Sequence, residues 1–192
     1  MIAIVKYNAG NITSVKNAVE RLGYSCVVTD DETLLKQADK VIFPGVGEAS
    51  TAMNYLKEKG LDEVIKNLTQ PVLGICLGQQ LLCQFSEEGN TECLGIFDAT
   101  VKRFEPKLKV PHMGWNNISD LNSVLYNGIS DQDDFYFVHS YYAEIGKETT
   151  AICNYIVPFS ASMEKDNFFA TQFHPEKSSS LGEQLLLNFL KL

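Results

Sequence analysis

Several features that define other classes of protein are scarce in this sequence or missing from it. Its 192 residues include one tryptophan, three histidines and five cysteines. The cysteines are odd in number and never occur with Cys-x-x-Cys spacing, which disfavours both a disulfide framework and a zinc site. We therefore expect free thiols, no metal and a reducing, cytoplasmic environment.

Positive charge is also thinly spread along the chain. Sixteen lysines and arginines stand against 24 aspartates and glutamates, for a net charge of −8. No basic cluster rises above this background, so nucleic acid is not expected as a partner. Residues 1–6 lack the apolar core of a signal peptide, and no apolar run is long enough to span a bilayer. A membrane partner is therefore not expected either.

The motif of greatest chemical interest lies near the middle of the chain. An apolar run, Pro71–Ile75, leads directly into Cys76, and helix-forming residues follow from Leu77. A reactive side chain between Gly74 and Gly78 at a strand-to-helix junction is typical of a nucleophile elbow, in which the glycines let the helix pack closely against the strand. The N–H groups at the helix start would favour a thiolate. By itself the pattern fits a buried structural cysteine equally well.

A candidate base lies near the C-terminus, in the segment Gln172–Glu176. Pro175 favours an extended backbone at His174, and side chains two apart on an extended chain point the same way, so Glu176 can reach the imidazole. A histidine held by a carboxylate is the base of a cysteine–histidine–acid triad. A lone histidine is more often structural, but only this one of the three has a carboxylate at this spacing. We therefore pair it with the elbow cysteine.

The remaining pattern alternates short apolar strands with helices. Strands are expected at 2–5, 24–28, 40–43 and 72–75, and helices at about 13–22, 48–59, 61–68 and 181–190, with a short helix capped by Asp30 or Asp31. Beyond residue 95 turns dominate, with strands expected at 97–104, 135–139, 142–145, 150–155, 159–164 and 168–173. This order predicts an α/β protein with a parallel core sheet and an added antiparallel section, in a single domain of residues 1–192. The loop Asn8–Asn11 matches no nucleotide fingerprint, so no nucleotide is expected.

The elbow and the base motif together resemble those of the class I glutamine amidotransferases. The family's elbow reads Gly-x-Cys-x-Gly-x-Gln, as in residues 74–80, and its base motif reads His-Pro-Glu, as in residues 174–176. The resemblance implies a flavodoxin-like fold with helices on both faces of the sheet and no cofactor. It also implies hydrolysis of glutamine to glutamate and ammonia by a triad of Cys76, His174 and Glu176.

The same resemblance implies where glutamine would bind. The oxyanion hole would use the backbone N–H of Leu77 and one from the segment of Val46 and Gly47, although Pro44–Gly47 by itself could be only a glycine-rich turn. The substrate contacts would come from Gly45, Gln80, Glu88, Ser140 and Tyr141. For Glu88 the alternative is a solvated helix end.

Other segments resemble one branch of the family, the glutaminase subunits of imidazole glycerol phosphate synthases in histidine biosynthesis. This likeness lies in Val110–Asn116, Tyr136–Tyr141 and Gln172–Ser178, while Lys6–Asn8 departs from the expected acidic, aromatic and glycine order. It implies a heterodimer with a separate (β/α)8-barrel cyclase that receives ammonia through an internal passage. The cyclase would make imidazole glycerol phosphate and an aminoimidazole carboxamide ribotide.

The branch also implies a docking face on this chain for the cyclase. A tryptophan often anchors such an interface, although a half-buried aromatic in a turn would look the same in sequence. The residues assigned to this face are Asn8, Asn11, His112, Met113 and Trp115.

Two other interpretations stay open at this point. The chain could be the glutaminase of another complex, such as anthranilate or aminodeoxychorismate synthase, which should lack the stretch His112–Trp115. It could instead be a non-enzymatic α/β module in which Cys76 is only a core or redox thiol. Cys83, seven residues further along the expected helix, is interpreted as a small core residue rather than a second reactive thiol.

Overall fold

The fold was analysed in a computed structural model that describes all residues, 1–192. The strands are β1 (Ile2–Val5), β2 (Cys26–Thr29), β3 (Lys40–Gly45), β4 (Val72–Cys76), β5 (Phe85–Ser86), β6 (Thr91–Glu92), β7 (Thr100–Arg103), β8 (His112–Asn117), β9 (Asp134–His139), β10 (Tyr141–Ala143), β11 (Thr149–Asn154), β12 (Pro158–Lys165) and β13 (Phe168–Thr171). The α-helices are α1 (Ile12–Arg21), α2 (Glu32–Gln37), α3 (Ala49–Lys59), α4 (Leu61–Lys66), α5 (Leu77–Leu82) and α6 (Ser179–Leu190). Short 3-10 turns cover Val124–Tyr126 and Pro175–Lys177.

A seven-stranded sheet in the order β11-β12-β13-β4-β3-β1-β2 forms the centre of the molecule. Its five strands from β13 to β2 run parallel, and β12 and β11 add an antiparallel edge. Gly45 at the end of β3 pairs with Cys76, and Thr171 at the end of β13 pairs with Ile75. The carboxyl ends of β3, β4 and β13 therefore meet at one edge, which is where open α/β sheets place their sites.

Helices cover both faces of this sheet, as the sequence predicts. Alternate residues of a strand point to opposite faces, and in β3 the side chains of Val41 and Phe43 enter one core while Ile42 enters the other. The first core packs against α2, α3, α4 and α5, and the second packs against α1 and α6. Because both faces are covered, the central strands read as continuous apolar runs rather than alternating ones.

The antiparallel section forms two smaller sheets beside the main one. One has the order β10-β7-β5-β6, and the other is the ribbon of β8 and β9. Sequence analysis missed β5, β6 and β8, and the strand expected at 97–104 covers only Thr100–Arg103. The sequence of β8, His-Met-Gly-Trp-Asn-Asn, has no β-branched residue, so its strand conformation depends on pairing with β9.

Two local expectations are settled by the backbone. Asp31 is the residue that caps α2, since its carboxylate accepts the N–H of Leu34 at 2.9 Å. The elbow helix ends at Leu82, so Cys83 lies just past it with an extended backbone instead of on the helix. Its side chain is nonetheless fully buried in the first core, as expected for a small core residue.

No helix of the chain is both long enough and apolar enough to cross a bilayer.

Candidate active site

Cys76 sits at the sharp turn where β4 ends and α5 begins. Its backbone has φ 55° and ψ −106°, a conformation that is strained for a residue with a side chain. Such strain is characteristic of the nucleophile elbow that the sequence predicts. The turn directs the sulfur into a pocket while leaving the side chain only 6% exposed.

The glycines beside the elbow are needed because the helix passes very close to the sheet. A Cβ at Gly78 would lie 1.9 Å from the carbonyl oxygen of Phe43, which is a backbone atom and cannot move aside. A Cβ at Gly74 would lie 2.7 Å from a methyl group of Leu82 and 3.0 Å from the backbone of Gly78. The predicted reason for both glycines is therefore confirmed.

His174 and Glu176 meet the elbow from the end of β13. The Nδ1 atom of His174 lies 2.7 Å from Oε1 of Glu176, and both side chains are fully buried. The other ring nitrogen, Nε2, is buried without an oxygen or nitrogen partner in the protein. The carboxylate thus fixes the Nδ1–H tautomer and leaves Nε2 as the atom available for proton transfer.

The electrostatics of His174 couple it to the cysteine. Burial alone lowers the pKa of His174, but the negative charge of a Cys76 thiolate and the Glu176 carboxylate outweigh it and raise the pKa to about 10. The imidazolium is therefore the favoured form while the sulfur is a thiolate. An arrangement of this kind can attack a carbonyl carbon and then protonate the leaving group.

The electrostatic effect of α5 on the Cys76 sulfur is weaker than that of a long helix. α5 has only six residues, so its macrodipole is small, and the local N–H groups of its first turn carry most of the effect. The amide of Gln172 adds a donor from another direction, since its Nε2 lies 3.7 Å from the Cys76 sulfur. Sequence reasoning missed this role, although Gln172 lies only two residues before the histidine of the base motif.

A pocket of about 300 Å³ opens in front of Cys76. Most of the predicted oxyanion and substrate residues line it, together with three that were not predicted: Pro111, Val138 and His139. The predicted residues in its wall are Val46, Gly47, Leu77, Gln80, Glu88, Ser140 and Tyr141.

Gly45 is the one predicted substrate residue that does not line the pocket. A Cβ there would lie 2.0 Å from the hydroxyl of Tyr7, so the glycine makes room for the tyrosine behind the pocket wall. Tyr7 is buried with its ring 5.3 Å from that of Phe43. In the segment Lys6–Asn8, which departs from the family's pattern, the aromatic residue is therefore part of the core.

The segment that follows Gly45 has a defined orientation. The carbonyl of Val46 accepts the N–H of Gly10 at 3.4 Å, so it points toward the first loop. In a planar trans peptide the N–H of Gly47 points the opposite way. Gly47 has φ +128°, in the region that favours glycine.

Glu88 reaches the pocket from the turn between β5 and β6. Its Oε2 accepts the N–H of Ala49, at the start of α3, at 2.8 Å. Burial raises its pKa, and the nearby carboxylate of Glu48 raises it too, against the lowering by the Ala49 hydrogen bond. The alternative of a solvated helix end is wrong, because Glu88 lies in a turn and is half-buried.

The residues assigned to the docking face divide into two groups. Met113 and Trp115 point outward from β8 with 56% and 54% exposure, and Asn8 is exposed in the first loop. His112 is a correction, since its side chain is 4% exposed and faces inward, because alternate residues of β8 point to opposite sides. Asn11 faces the pair of His174 and Glu176: its amide donates a hydrogen bond to Oε1 of Glu176.

No group of three or more histidine, cysteine, aspartate or glutamate side chains in the chain is arranged to hold a metal ion. All five cysteines are free, and burial raises the pKa of the thiols of Cys83, Cys93 and Cys153. A thiol held protonated in this way is a poor nucleophile.

A sequence model of the family described as "Glutamine amidotransferase class-I" matches residues 3–192. The chain belongs to the class I glutamine amidotransferases. Among solved structures of similar fold is a protein assigned to a GMP synthase of Thermoplasma acidophilum, with a TM-score of 0.78 and 19% identity, covering 100% of this chain and 92% of that one. Another, described as a glutamine amidotransferase, has a TM-score of 0.75 and 18% identity, covering 100% and 98%.

Several relatives of higher sequence identity share one protein name, that of a subunit of imidazole glycerol phosphate synthase. The imidazole glycerol phosphate synthase subunit HisH of Bacteroides fragilis is 61% identical over 194 residues, covering 100% of this chain and 99% of that protein. The protein of the same name from Bacteroides thetaiotaomicron is 60% identical with the same coverage. That of Haemophilus influenzae is 47% identical, covering 99% of this chain and 96% of that protein.

Proposed function

We propose that this amidotransferase is the glutaminase subunit of an imidazole glycerol phosphate synthase in L-histidine biosynthesis. The observation that carries the proposal is the 61% identity over the whole chain to a subunit of that synthase. It is supported by Cys76 in the wall of the pocket and by the buried pair of His174 and Glu176, whose histidine is electrostatically coupled to the sulfur. The enzyme would act in the cytoplasm.

The reaction would begin with attack of the Cys76 thiolate on the side-chain amide carbon of glutamine. The carbonyl oxygen becomes an oxyanion, and the protonated His174 passes its Nε2 proton to the departing nitrogen. Ammonia leaves and a glutamyl thioester remains. His174 then takes a proton from water, the resulting hydroxide attacks the thioester carbon, and glutamate departs as the thiolate is restored.

The oxyanion would be held by backbone N–H groups beside the sulfur. Leu77 offers the N–H that follows the nucleophile, and the Val46–Gly47 segment also lines the pocket. Loss of one such donor typically costs about 3–4 kcal/mol of transition-state stabilisation. A glycine at position 47 would let this peptide take two orientations, and only one presents an N–H, so the segment could serve as a switch.

Recognition of glutamine would fall to the other pocket residues. Gln80 and Glu88 offer polar groups for the substrate's amino acid end, and the Ser140–Tyr141 backbone would receive its carboxylate. Glu88 is suited to an ammonium group because its carboxylate is half-buried and has only one backbone donor.

Ammonia would pass to a (β/α)8-barrel cyclase in a heterodimer. The exposed pair of Met113 and Trp115 on β8 supports a docking face there, because large apolar side chains at such exposure are common at interfaces. The cyclase would use the ammonia to form imidazole glycerol phosphate and the aminoimidazole carboxamide ribotide.

The test is reconstitution with the cyclase under two nitrogen sources. Wild-type chain should support synthesis from glutamine or from an ammonium salt. Cys76→Ser should abolish the glutamine-dependent reaction and leave the ammonium-dependent one intact, because the triad only supplies ammonia. Cys83→Ala is the matched control and should retain both. Loss of both reactions in a folded Cys76→Ser complex would refute the proposal.

A further inference from the structure

The two histidines outside the triad form a buried pair beside the pocket. His112 on β8 and His139 at the end of β9 are cross-strand partners, and Nδ1 of His112 lies 2.9 Å from Nε2 of His139. Their side chains are 4% and 6% exposed. The proposed chemistry uses neither ring, so their polar contacts need another explanation.

The direction of the hydrogen bond between the rings is set at one end by a backbone carbonyl. Nδ1 of His139 lies 2.7 Å from the carbonyl oxygen of Tyr141. A carbonyl can only accept, so Nδ1 of His139 must carry the proton. In the neutral ring Nε2 is then an acceptor, and Nδ1 of His112 must be the donor to it.

The contacts of His112 independently require the same direction for the hydrogen bond between the two rings. The amide of Asn116 is oriented by two backbone groups: its Nδ2 donates to the carbonyl of Asn154 at 3.0 Å, and its Oδ1 accepts the N–H of Asn117 at 2.9 Å. The same Nδ2 lies 3.2 Å from Nε2 of His112. That nitrogen must therefore accept, which places the His112 proton on Nδ1.

The packing around the rings resists any rearrangement. His112 lies between the ring of Tyr155 at 4.1 Å and that of Phe137 at 5.0 Å, both nearly parallel to it. Burial lowers the pKa of His112 to about 4. Burial also lowers that of His139 to about 3, with His112 and His174 opposing a charge there and the Tyr141 carbonyl favouring it. Both rings are thus neutral, the form that the contacts require.

We propose that His112 and His139 are positioning residues that fix the peptide group after Tyr141, directly beside the Ser140–Tyr141 backbone that, under the proposed function, receives the carboxylate of glutamine. The carbonyl of Tyr141 accepts from His139 and, at 2.9 Å, from Nε2 of Gln80. The carbonyl of Ser140 accepts the N–H of Phe104 at 3.0 Å. The peptide after Tyr141 is therefore held by His139 and Gln80, and the peptide before it by Phe104, before substrate arrives, which lowers the cost of binding.

The hydrogen bonds from Asn116 through His112 and His139 to the Tyr141 carbonyl form a relay. This relay continues toward the nucleophile. Nε2 of Gln80 donates to Oε1 of Gln172 at 3.0 Å, and Nε2 of Gln172 faces the sulfur of Cys76. A continuous path of hydrogen bonds thus runs from the inner face of β8 to the elbow. His139 is the member that fixes its shared acceptor, the Tyr141 carbonyl.

The tautomers can be measured directly by nitrogen NMR of the full chain labelled with 15N-histidine. In His112 and His139 we expect protonated Nδ1 and unprotonated Nε2, unchanged from a pH of about 5.5 to about 8.5. A protonated Nε2 in either ring, or titration of either ring within that range, would overturn the inference. This readout needs no activity, so it decides the relay even if the proposed function fails.

The positioning role is tested by glutamine hydrolysis in the complex with the cyclase. His139→Leu removes the donor to Tyr141 and should raise KM for glutamine about tenfold, with kcat within about threefold of wild type, as expected for lost ground-state binding. His139→Asn can place an amide N–H where Nδ1 was and should return KM to within about threefold. Equal KM values for the two variants, or a loss confined to kcat, would overturn the inference.

Two further variants separate hydrogen bonding from packing. Tyr155→Leu removes the ring stacked on His112 and leaves the relay bonds intact, so KM should stay within about threefold of wild type. His112→Phe keeps an aromatic ring but breaks the relay one step earlier, and should raise KM even if His139→Leu fails to fold. A raised KM in Tyr155→Leu with a normal KM in His112→Phe would show that packing alone matters. Wild-type complex that releases no glutamate would instead refute the proposed function.

Discussion

Asn11 donates a hydrogen bond to Oε1 of Glu176, the same oxygen that accepts from His174, although 165 residues separate the amide from the carboxylate. The second oxygen, Oε2, is buried without a partner. The orientation of the carboxylate therefore depends on Asn11 as well as on the histidine. The αL backbone of Asn11, at φ 74°, aims its side chain inward from the first loop.

Asn11→Ala should consequently impair the triad. A hydrogen bond to a charged group is worth about 1.5–3 kcal/mol, so we expect glutamine-dependent turnover in the complex to fall about tenfold to a hundredfold. Synthesis from ammonium salts should be unchanged. Asn54→Ala, an exposed position on α3, is the control and should match wild type. Equal turnover in the two variants would show that Asn11 does not hold the carboxylate.

Replacement of the elbow cysteine should change the titration of the histidine. The Cys76 thiolate helps to raise the pKa of His174 to about 10, whereas burial lowers it. Cys76→Ser removes the negative charge, so the pKa of His174 should fall while the Glu176 contribution remains. Nitrogen NMR of the imidazole gives this value. Cys83→Ala should leave it unchanged, and an unchanged pKa in Cys76→Ser would contradict the coupling.

Acid should destabilise the fold through the two other histidines. In the folded state the pKa values of His112 and His139 are lowered from 6.5 to about 4 and about 3, so below pH 6.5 only the unfolded chain takes up these protons. The contribution of these two histidines to the free energy of unfolding is fully present above pH 6.5. It is lost as the pH falls toward 4 and then 3, by up to about 1.4 kcal/mol per pH unit for each histidine. His174, with a raised pKa, is protonated in both states over this window and adds no slope.

Denaturant unfolding at a series of pH values measures this effect. Carboxylates also contribute to acid lability, so the informative comparison is between wild type and His112→Phe. The variant lacks one titrating histidine, and its stability should fall less steeply below pH 6.5. Parallel slopes for the two proteins would show that His112 is not held neutral by the fold.

The glycines beside the elbow should differ from other glycines in their tolerance of a methyl group. Gly78→Ala would place Cβ against the Phe43 carbonyl, and overpacking against backbone costs about 1–3 kcal/mol or more. Gly146→Ala is the control, since its Cβ would have ordinary contacts at 3.8 Å and beyond and its φ is not positive. Thermal unfolding should show a large fall in melting temperature for the first variant and little change for the second. Similar melting temperatures would contradict the close helix approach.

The sequence predicts the parallel core well because its strands are apolar runs between helices of clear periodicity. The candidate triad can be predicted equally well from the sequence, since Cys76 and His174 lie in compact motifs whose glycines and proline have local causes. The contacts of the inward-facing side chains of β8 cannot be predicted from the sequence in this way. Nothing near His112 in sequence indicates that it pairs with His139, because the contact arises from the register of two strands joined by a long connection.

Two other residues escape sequence reasoning for a similar cause. The family resemblance assigns Asn11 to a docking face, but the turn of the backbone directs its amide to Glu176. Gln172, just past the end of β13, gives no signal in the sequence because a single amide has no distinctive spacing, and only the adjacent elbow gives it a role. Long-range contacts of neutral polar groups are thus the part of the site that sequence patterns do not encode.

The most direct test of the proposed chemistry is to identify the thiol that reacts with a glutamine-derived electrophile. The complex with the cyclase is treated with a diazo-oxo-norleucine analogue, digested and examined by mass spectrometry. We predict one adduct on Cys76 and none on Cys26, Cys83, Cys93 or Cys153, with protection by excess glutamine. An adduct on another cysteine, or none on Cys76 in complex that hydrolyses glutamine, would contradict the assignment of the nucleophile.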